Sequence, residues 1–271
     1  MKWFVVSDIH GFYTELVECL GKAGFEYDNP NHGLIVCGDI FDRGYEPFEV
    51  YRFLRRLPKN RRVLIKGNHE TLLKDMCIRG YEYLADDSNG TSSTAIHLMW
   101  DSQEIYKDTS VNKYNNILIN EILAWIDKEW VNYYEMDKFI FVHSFIPVYC
   151  NDKLPAWYKD HRKFAYNPKW RKIKDDEMWE DARWGCPWKM YQSGLFEEEE
   201  KNGKILVCGH WHTSDFFYNL DDILGYKNRP ELSYKIYMSK GIIGLDGCTA
   251  LTRQVNVLVI NEDGTFYQGN K

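Results

Sequence analysis

The stretch Gly38-Asp39-Ile40-Phe41-Asp42-Arg43-Gly44 constrains this chain more than any other. It follows the apolar run Gly33-Leu34-Ile35-Val36-Cys37, which reads as a buried strand. Two carboxylates three residues apart stand at that strand's end, followed by an arginine and a glycine. A carboxylate has two oxygens and can bridge two cations. A guanidinium beside it can grip a phosphate with its planar fork. Acidic turns after strands are common, so the stretch gains meaning only from what accompanies it.

Four more polar clusters accompany it: Ser7-Asp8-Ile9-His10-Gly11, Gly67-Asn68-His69-Glu70, Val142-His143-Ser144 and Gly209-His210-Trp211-His212-Thr213. They follow apolar runs at 3–6, 63–65, 139–142 and 205–208. Five strand-like runs therefore end in Asp, Asn or His. Open α/β sheets bind ligands beyond the carboxyl ends of their strands, where five such loops can converge. The donors are oxygen and imidazole with no thiolate, which suits manganese, iron or zinc and argues against a structural thiolate zinc site.

The order Asp-x-His, Gly-Asp-x-x-Asp-Arg-Gly, Gly-Asn-His-Glu, His, Gly-His-x-His resembles the calcineurin-like metallophosphoesterase superfamily. Asp42-Arg43-Gly44 and His69-Glu70 are similar to its phosphoprotein phosphatase branch, which includes bacterial serine/threonine phosphatases and symmetrical diadenosine tetraphosphate hydrolases. Two positions depart from that branch: Ser7 replaces a usual Gly, and Ser144-Phe145 follow His143 where small residues are usual. The resemblance implies two divalent cations, most simply manganese, with iron or zinc as alternatives. Asp8, His10 and His212 would hold one, Asn68, His143 and His210 the other, and Asp39 would bridge them. A water activated by the pair would attack phosphorus. His69 would protonate the leaving oxygen with Asp42 fixing its tautomer, and Arg43 would clamp the phosphate. Asn68 lies beside that phosphate. Arg183 and Arg253 compete for the place of a second phosphate-binding arginine. Glu70 reads as a cap or brace, and His32, His97 and His161 as surface or packing residues.

The expected activity is phosphomonoester hydrolysis, with a serine/threonine phosphoprotein as substrate. The alternatives are diadenosine tetraphosphate or another small phosphoester, and, in a different class, a catalytically silent phosphate-binding module. The net charge of −6 gives no basic groove for nucleic acid. No apolar run approaches the ~20 residues a membrane helix needs. Seven scattered cysteines without a C-x-x-C pair read as core thiols of a reducing cytoplasm.

The expected fold is α/β, a two-sheet β-sandwich flanked by helices, in one domain spanning 1–271. Tyr13, Leu16, Val17 and Leu20 recur at helical spacing after the first strand, and 48–57 reads as a helix opened by Pro47. A helix is expected over 70–78. Residues 80–137 read as a helical insertion, with a loop at 86–90 and helices over 94–100 and 117–130. Residues 151–202, rich in tryptophan and poorly periodic, are either a lid or a packed excursion. Strands are expected over 236–238, 242–245 and 255–260, with a hairpin turn into 265–267.

Overall fold

The computed structural model describes residues 1–101, 114, 116–150, 163–221 and 234–269. Strand β1 (Lys2–Val6), helix α1 (Tyr13–Lys22), β2 (His32–Cys37), α2 (Pro47–Arg56) and β3 (Arg62–Ile65) form two successive βαβ units. The three strands are parallel, as crossover helices require. Helix α3 (Asn68–Arg79) starts two residues earlier than the apolar spacing predicts. Its first turn therefore carries Asn68 and His69.

Helices α4 (Leu84–Asn89), α5 (Thr91–Asp101) and α6 (Ile117–Glu129) follow. The loop expected at 86–90 is α4, closed by Gly90 in the left-handed conformation. Asp86 explains the difference: its carboxylate accepts the Tyr83 backbone N–H and the Arg79 guanidinium, so polar residues that resemble a turn cap a helix instead. Strand β4 (Tyr133–Met136) lies inside the stretch expected to be helical and pairs antiparallel with β5 (Phe139–Val142).

Beyond β5 come the short pair β6 (Tyr149–Cys150) and β7 (Phe164–Ala165), then α7 (Asp176–Arg183), α8 (Pro187–Gln192) and α9 (Glu197–Lys201). Strand β8 (Ile205–Cys208), α10 (Thr213–Asn219), β9 (Tyr237–Met238), β10 (Ile242–Gly244), β11 (Leu258–Ile260) and β12 (Phe266–Gln268) complete the described elements.

The strands form two sheets, in the orders β12-β11-β1-β2-β3 and β4-β5-β8-β10-β9. In the first sheet the parallel strands β1, β2 and β3 form one side and the antiparallel β11 and β12 the other; in the second the parallel trio β5, β8 and β10 is central, with antiparallel β4 and β9 at its two edges. Val5, Ile35 and Leu258 of the first sheet share a core with Phe141, Val207 and Ile243 of the second. The outer face of the first sheet packs on α1, α2, α3, α5 and α6. That of the second packs on the tryptophan-rich segment: Trp170, Trp179 and Trp188 are buried with Ile140, Leu206 and Ile242. Sheets covered on both faces have strands that read as continuous apolar runs, which is why the sequence showed them so plainly. Trp157 and His161 lie outside the described residues. No helix among the described residues is long and apolar enough to cross a membrane.

The tryptophan-rich layer is pinned by Glu199, which lies in the acidic run of α9 yet is buried. Its carboxylate accepts hydrogen bonds from Tyr166 Oη, Trp170 Nε1 and both terminal nitrogens of Arg171 at 2.7–2.9 Å. Burial pushes the Glu199 carboxyl up, but the hydrogen bonds from Arg171, Trp170 and Tyr166 outweigh it and hold it at about 2, against an ordinary 4.5. A carboxyl depressed on folding stabilises the protein above its unfolded pKa, and that contribution drains as pH falls through the folded value. We therefore expect Glu199→Gln to be about 2 kcal/mol less stable than wild type at pH 7. The gap should close as pH falls from 4.5 towards 2. Urea unfolding followed by tryptophan fluorescence at several pH values measures it. A gap that stays constant across that window would remove Glu199 from this role.

Candidate metal centre

Asp39 follows β2 and is buried. Its Oδ2 lies 3.3 Å from His143 Nε2 and 3.9 Å from both His10 Nε2 and His69 Nε2. Its Oδ1 accepts the His69 backbone N–H at 3.0 Å. Side-chain donor atoms of His10, Asp39 and His69 lie within 4.8 Å of one another, and so do those of Asp39, His143 and His210. Asp39 belongs to both groups. Asn68 Oδ1 approaches His143 Nε2 to 2.8 Å and so joins the second.

The ring nitrogens are preset. His10 Nδ1 is 2.8 Å from Phe41 O and His143 Nδ1 is 2.8 Å from Cys37 O. A carbonyl accepts only, so each Nδ1 carries a proton and each Nε2 is the nitrogen turned toward the cluster. That is how ligating imidazoles are held. Two convergent donor sets sharing one buried carboxylate fit a pair of cations bridged by Asp39.

The expected ligands do not all converge. Asp8 is buried, but its carboxylate accepts the Ser7 hydroxyl at 2.5 Å and the His210 backbone N–H at 3.0 Å. His212 is the residue before α10, with its side chain 41% exposed and Nε2 4.0 Å from Asp246 Oδ2. Neither falls in the two donor groups, whereas His69 does. Ser7, the departure from the usual glycine, braces Asp8 and also reaches Cys37 O at 3.0 Å. Ser144 donates to Gly185 O at 2.7 Å and ties the His143 loop to the tryptophan-rich layer.

His69 Nδ1 lies 2.6 Å from Asp42 Oδ2. Thr91 Oγ1 donates to the same oxygen at 2.7 Å, and Thr94 Oγ1 accepts the Asp42 backbone N–H at 2.9 Å. Sequence reading missed both threonines; the available signal was two hydroxyls one turn apart at the start of an apolar helix. Arg43 spans two rings, with Nη1 3.0 Å from His10 Nε2 and Nη2 3.4 Å from His69 Nε2. Arg183 is buried and spent on Glu180, Asn132 and Asp176. Glu180 in turn accepts from Thr71, so this network braces the first turn of α3. Arg253 is 55% exposed, 3.4 Å from Glu15 and over the Phe12 ring. Among the three expected arginines, only Arg43 reaches the cluster.

The charges explain one another. Burial pushes the Asp39 carboxyl up, but His143, then His69 and His10, hold it well below the carboxylate range. Burial pushes the His143 imidazole down, yet Asp39 raises it to about 9. His69 is also raised, because Asp39 and then Asp42 outweigh its burial. His10 is held well below its ordinary value by burial, then by His69 and Arg43.

Glu70 holds the loops together. Its carboxylate accepts backbone N–H groups from Asp39 at 3.1 Å, Ile40 at 2.9 Å and Gly67 at 2.7 Å. The loops themselves are strained: Asp8, His10, Asp39, Asp42, Arg43 and His210 all have φ between 52° and 73°. Side chains rarely adopt that region, at a cost of about 1–3 kcal/mol each. Two glycines are required by close approach. A Cβ on Gly209 would fall 1.9 Å from Ser7 Oγ, and one on Gly38 would fall 2.5 Å from His143 Nδ1.

Asp39→Asn removes the charge common to both donor groups and keeps the shape. We expect wild type reloaded with manganese to carry about two ions per chain by elemental analysis, and the variant less than half of that, with an unchanged circular dichroism spectrum. A variant that still holds two ions would show that Asp39 does not bridge.

The sequence profile of the calcineurin-like phosphoesterases matches residues 1–214. The chain is 33% identical over 91 residues to the asymmetrical bis(5'-nucleosyl)-tetraphosphatase PrpE of Halalkalibacterium halodurans, which is 31% of this chain and 34% of that protein. It is 32% identical over 119 residues to PrpE of Bacillus subtilis, covering 40% and 44% of the two chains. These matches span less than half the length of either relative. Among solved structures, a cold-active protein-tyrosine phosphatase of a psychrophilic Shewanella superposes with a TM-score of 0.54 at 16% identity, over 98% of this chain and 80% of that one. A serine/threonine phosphatase of Saccharomyces cerevisiae gives 0.54 at 14%, over 100% and 78%. A putative diadenosine tetraphosphatase gives 0.50 at 17%, over 98% and 92%. With its two mixed sheets and its cluster at their shared edge, this chain belongs to the calcineurin-like phosphoesterase family.

Proposed function

We propose that this chain is a metal-dependent phosphoester hydrolase acting on dinucleoside polyphosphates. The observation that carries the chemistry is the buried Asp39 with imidazoles on three sides, flanked by the His69–Asp42 pair and Arg43. A binding module needs neither a proton donor nor a residue to orient it. The substrate class rests on the curated relatives, which are bis(5'-nucleosyl)-tetraphosphatases. The phosphoprotein reading has the likeness in fold to protein phosphatases on its side, at 14–16% identity.

His10, His143, His210, Asn68 and Asp39 would hold the cations, with Asp8 and His212 completing the set that the family resemblance implies. Two divalent ions, of which manganese is our first choice, would polarise phosphoryl oxygens and lower the pKa of water. The chain's own groups do the rest. Asp42 Oδ2 accepts a hydrogen bond from the Nδ1–H of His69, so Nε2 is the nitrogen that faces the cluster. Burial pushes the His69 imidazole down, but Asp39 and then Asp42 raise it above its ordinary value, which favours the form that carries a proton there. From that nitrogen it can be passed to a departing oxygen. Arg43 brings a permanent charge to the same opening, where a phosphate would meet its two terminal nitrogens. The buried free thiols Cys19, Cys37, Cys186 and Cys208 fit a reducing cytoplasmic setting.

Steady-state assays decide the substrate. We expect kcat/KM for diadenosine tetraphosphate to exceed that for a phosphoserine peptide by at least about 100-fold; the reverse order would make this a protein phosphatase. His69→Asn tests the proton. General-acid assistance typically contributes roughly 10²–10⁴-fold. The variant should lose about that much on phosphoserine, whose alkoxide leaves poorly, and much less on p-nitrophenyl phosphate, whose phenolate needs no help. Equal losses on both would make His69 an anchor and not an acid.

A further inference from the structure

An exposed aromatic row starts two residues from Arg43. Tyr45 and Trp100 are 67% and 69% exposed. His97 links them, with its ring centroid 5.8 Å from Tyr45 and 6.4 Å from Trp100. The interplanar angles are 70° and 64°, so each ring meets the next by its edge. An edge-to-face contact covers one face of one ring in each pair, and the exposure of Tyr45 and Trp100 leaves the rest of their ring surface to a flat partner.

The row is aimed by the groups that hold the proton donor. Thr91 and Thr94 of α5 grip Asp42. His97 is three residues beyond Thr94 and Trp100 six, so Trp100 lies about 9 Å further along the helix axis. Tyr45 is carried by the loop of Arg43 and Gly44, and the Gly44 N–H donates to His10 O at 2.7 Å. One end of the row is thus fixed to the catalytic loops and the other runs outward along α5. No member bears a permanent charge, so the row attracts flat, uncharged surface and not phosphate.

We propose that Tyr45, His97 and Trp100 stack a nucleobase of the substrate whose phosphate meets Arg43. This deepens the dinucleoside polyphosphate reading and rests on it for its physiological meaning. A ribose joins phosphate to base in such a substrate, so a site at Arg43 needs its base platform a short distance outward. Stacking accepts every base, because each has a π-face. The row therefore selects nucleotides over bare phosphates and is indifferent to which base is present.

The test uses the full chain loaded with manganese. Tyr45→Ala, Trp100→Ala and their double variant alter exposed side chains. The double variant should lower the ratio of kcat/KM for diadenosine tetraphosphate over inorganic tetraphosphate tenfold or more, whereas Tyr45→Phe should retain it. An unchanged ratio in the double variant overturns the proposal. Equilibrium dialysis judges it without turnover. Wild type should bind AMP at least tenfold more tightly than ribose 5-phosphate, and the double variant should lose that preference. AMP bound no more tightly than ribose 5-phosphate overturns the platform, whether or not diadenosine tetraphosphate is cleaved. A retained AMP preference with no such cleavage would sink the substrate reading alone and leave the base platform standing. A row whose loss weakened phosphotyrosine peptide cleavage and left AMP binding intact would belong to a protein substrate instead.

Discussion

Asp39 keeps a full negative charge in a place that excludes water, and the surrounding structure depends on keeping it there. An isolated buried carboxylate would take up a proton, since burial disfavours the charged form. Here His143, His69 and His10 face Asp39 Oδ2 and hold the carboxyl ionised. The dependence is mutual, because Asp39 also raises His143 and His69. Removing one partner from such a set leaves the others buried without compensation, which costs more than the interaction ever contributed. The same balance makes the site a natural seat for divalent cations, whose charge would replace protons on the imidazoles.

Such a cluster can exist only if five loops are held closer than relaxed backbone permits. Six residues of the expected site have left-handed backbones, and their cost is met by hydrogen bonds that zip the loops together. His10 N–H donates to Asp39 O, Gly11 N–H to Ile40 O, and Gly209 N–H to His143 O. Glu70 gathers three further N–H groups from two loops. The two sheets supply the rigid edge from which the loops project. Their shared core fixes the ends of β2 and β5 side by side, so that Cys37 O orients His143.

The tryptophan-rich layer belongs to this scaffold, and the described part of it does not form a lid. Trp170 and Trp179 are completely buried, and Glu199 binds their layer through Arg171. Its link to the site is indirect but continuous. Arg183 holds Glu180, Glu180 holds Thr71 in the first turn of α3, and that turn carries Asn68 and His69. An arginine that sequence resemblance offers as a phosphate ligand thereby serves as a brace.

Much of this was legible in the sequence, for physical reasons that can be named. Strands buried on both faces have to be apolar throughout, so β1, β2, β5 and β8 stood out, and polar residues at their ends were visible by contrast. The five motifs pointed to the family and to most of the side chains that meet at Asp39, but not to which of them converge: Asp8 and His212 stand outside the two donor groups and His69 inside one. Other features depended on partners distant in sequence. Asp86 turns an apparent loop into α4 only because Arg79 and the Tyr83 N–H converge on it. Thr91 and Thr94 matter only because folding brings α5 against Asp42. The sequence motif singled out Arg43 as the phosphate clamp and left Arg183 and Arg253 to compete for a second place, since each is a guanidinium. The tertiary structure separated them by surrounding Arg183 with carboxylates, leaving Arg253 at the surface and placing Arg43 alone among them against the imidazoles. Sequence determined which groups could do the chemistry; the packing of loops at the sheet edge decided which of them meet, because only there are charges close and dry enough to set one another's state.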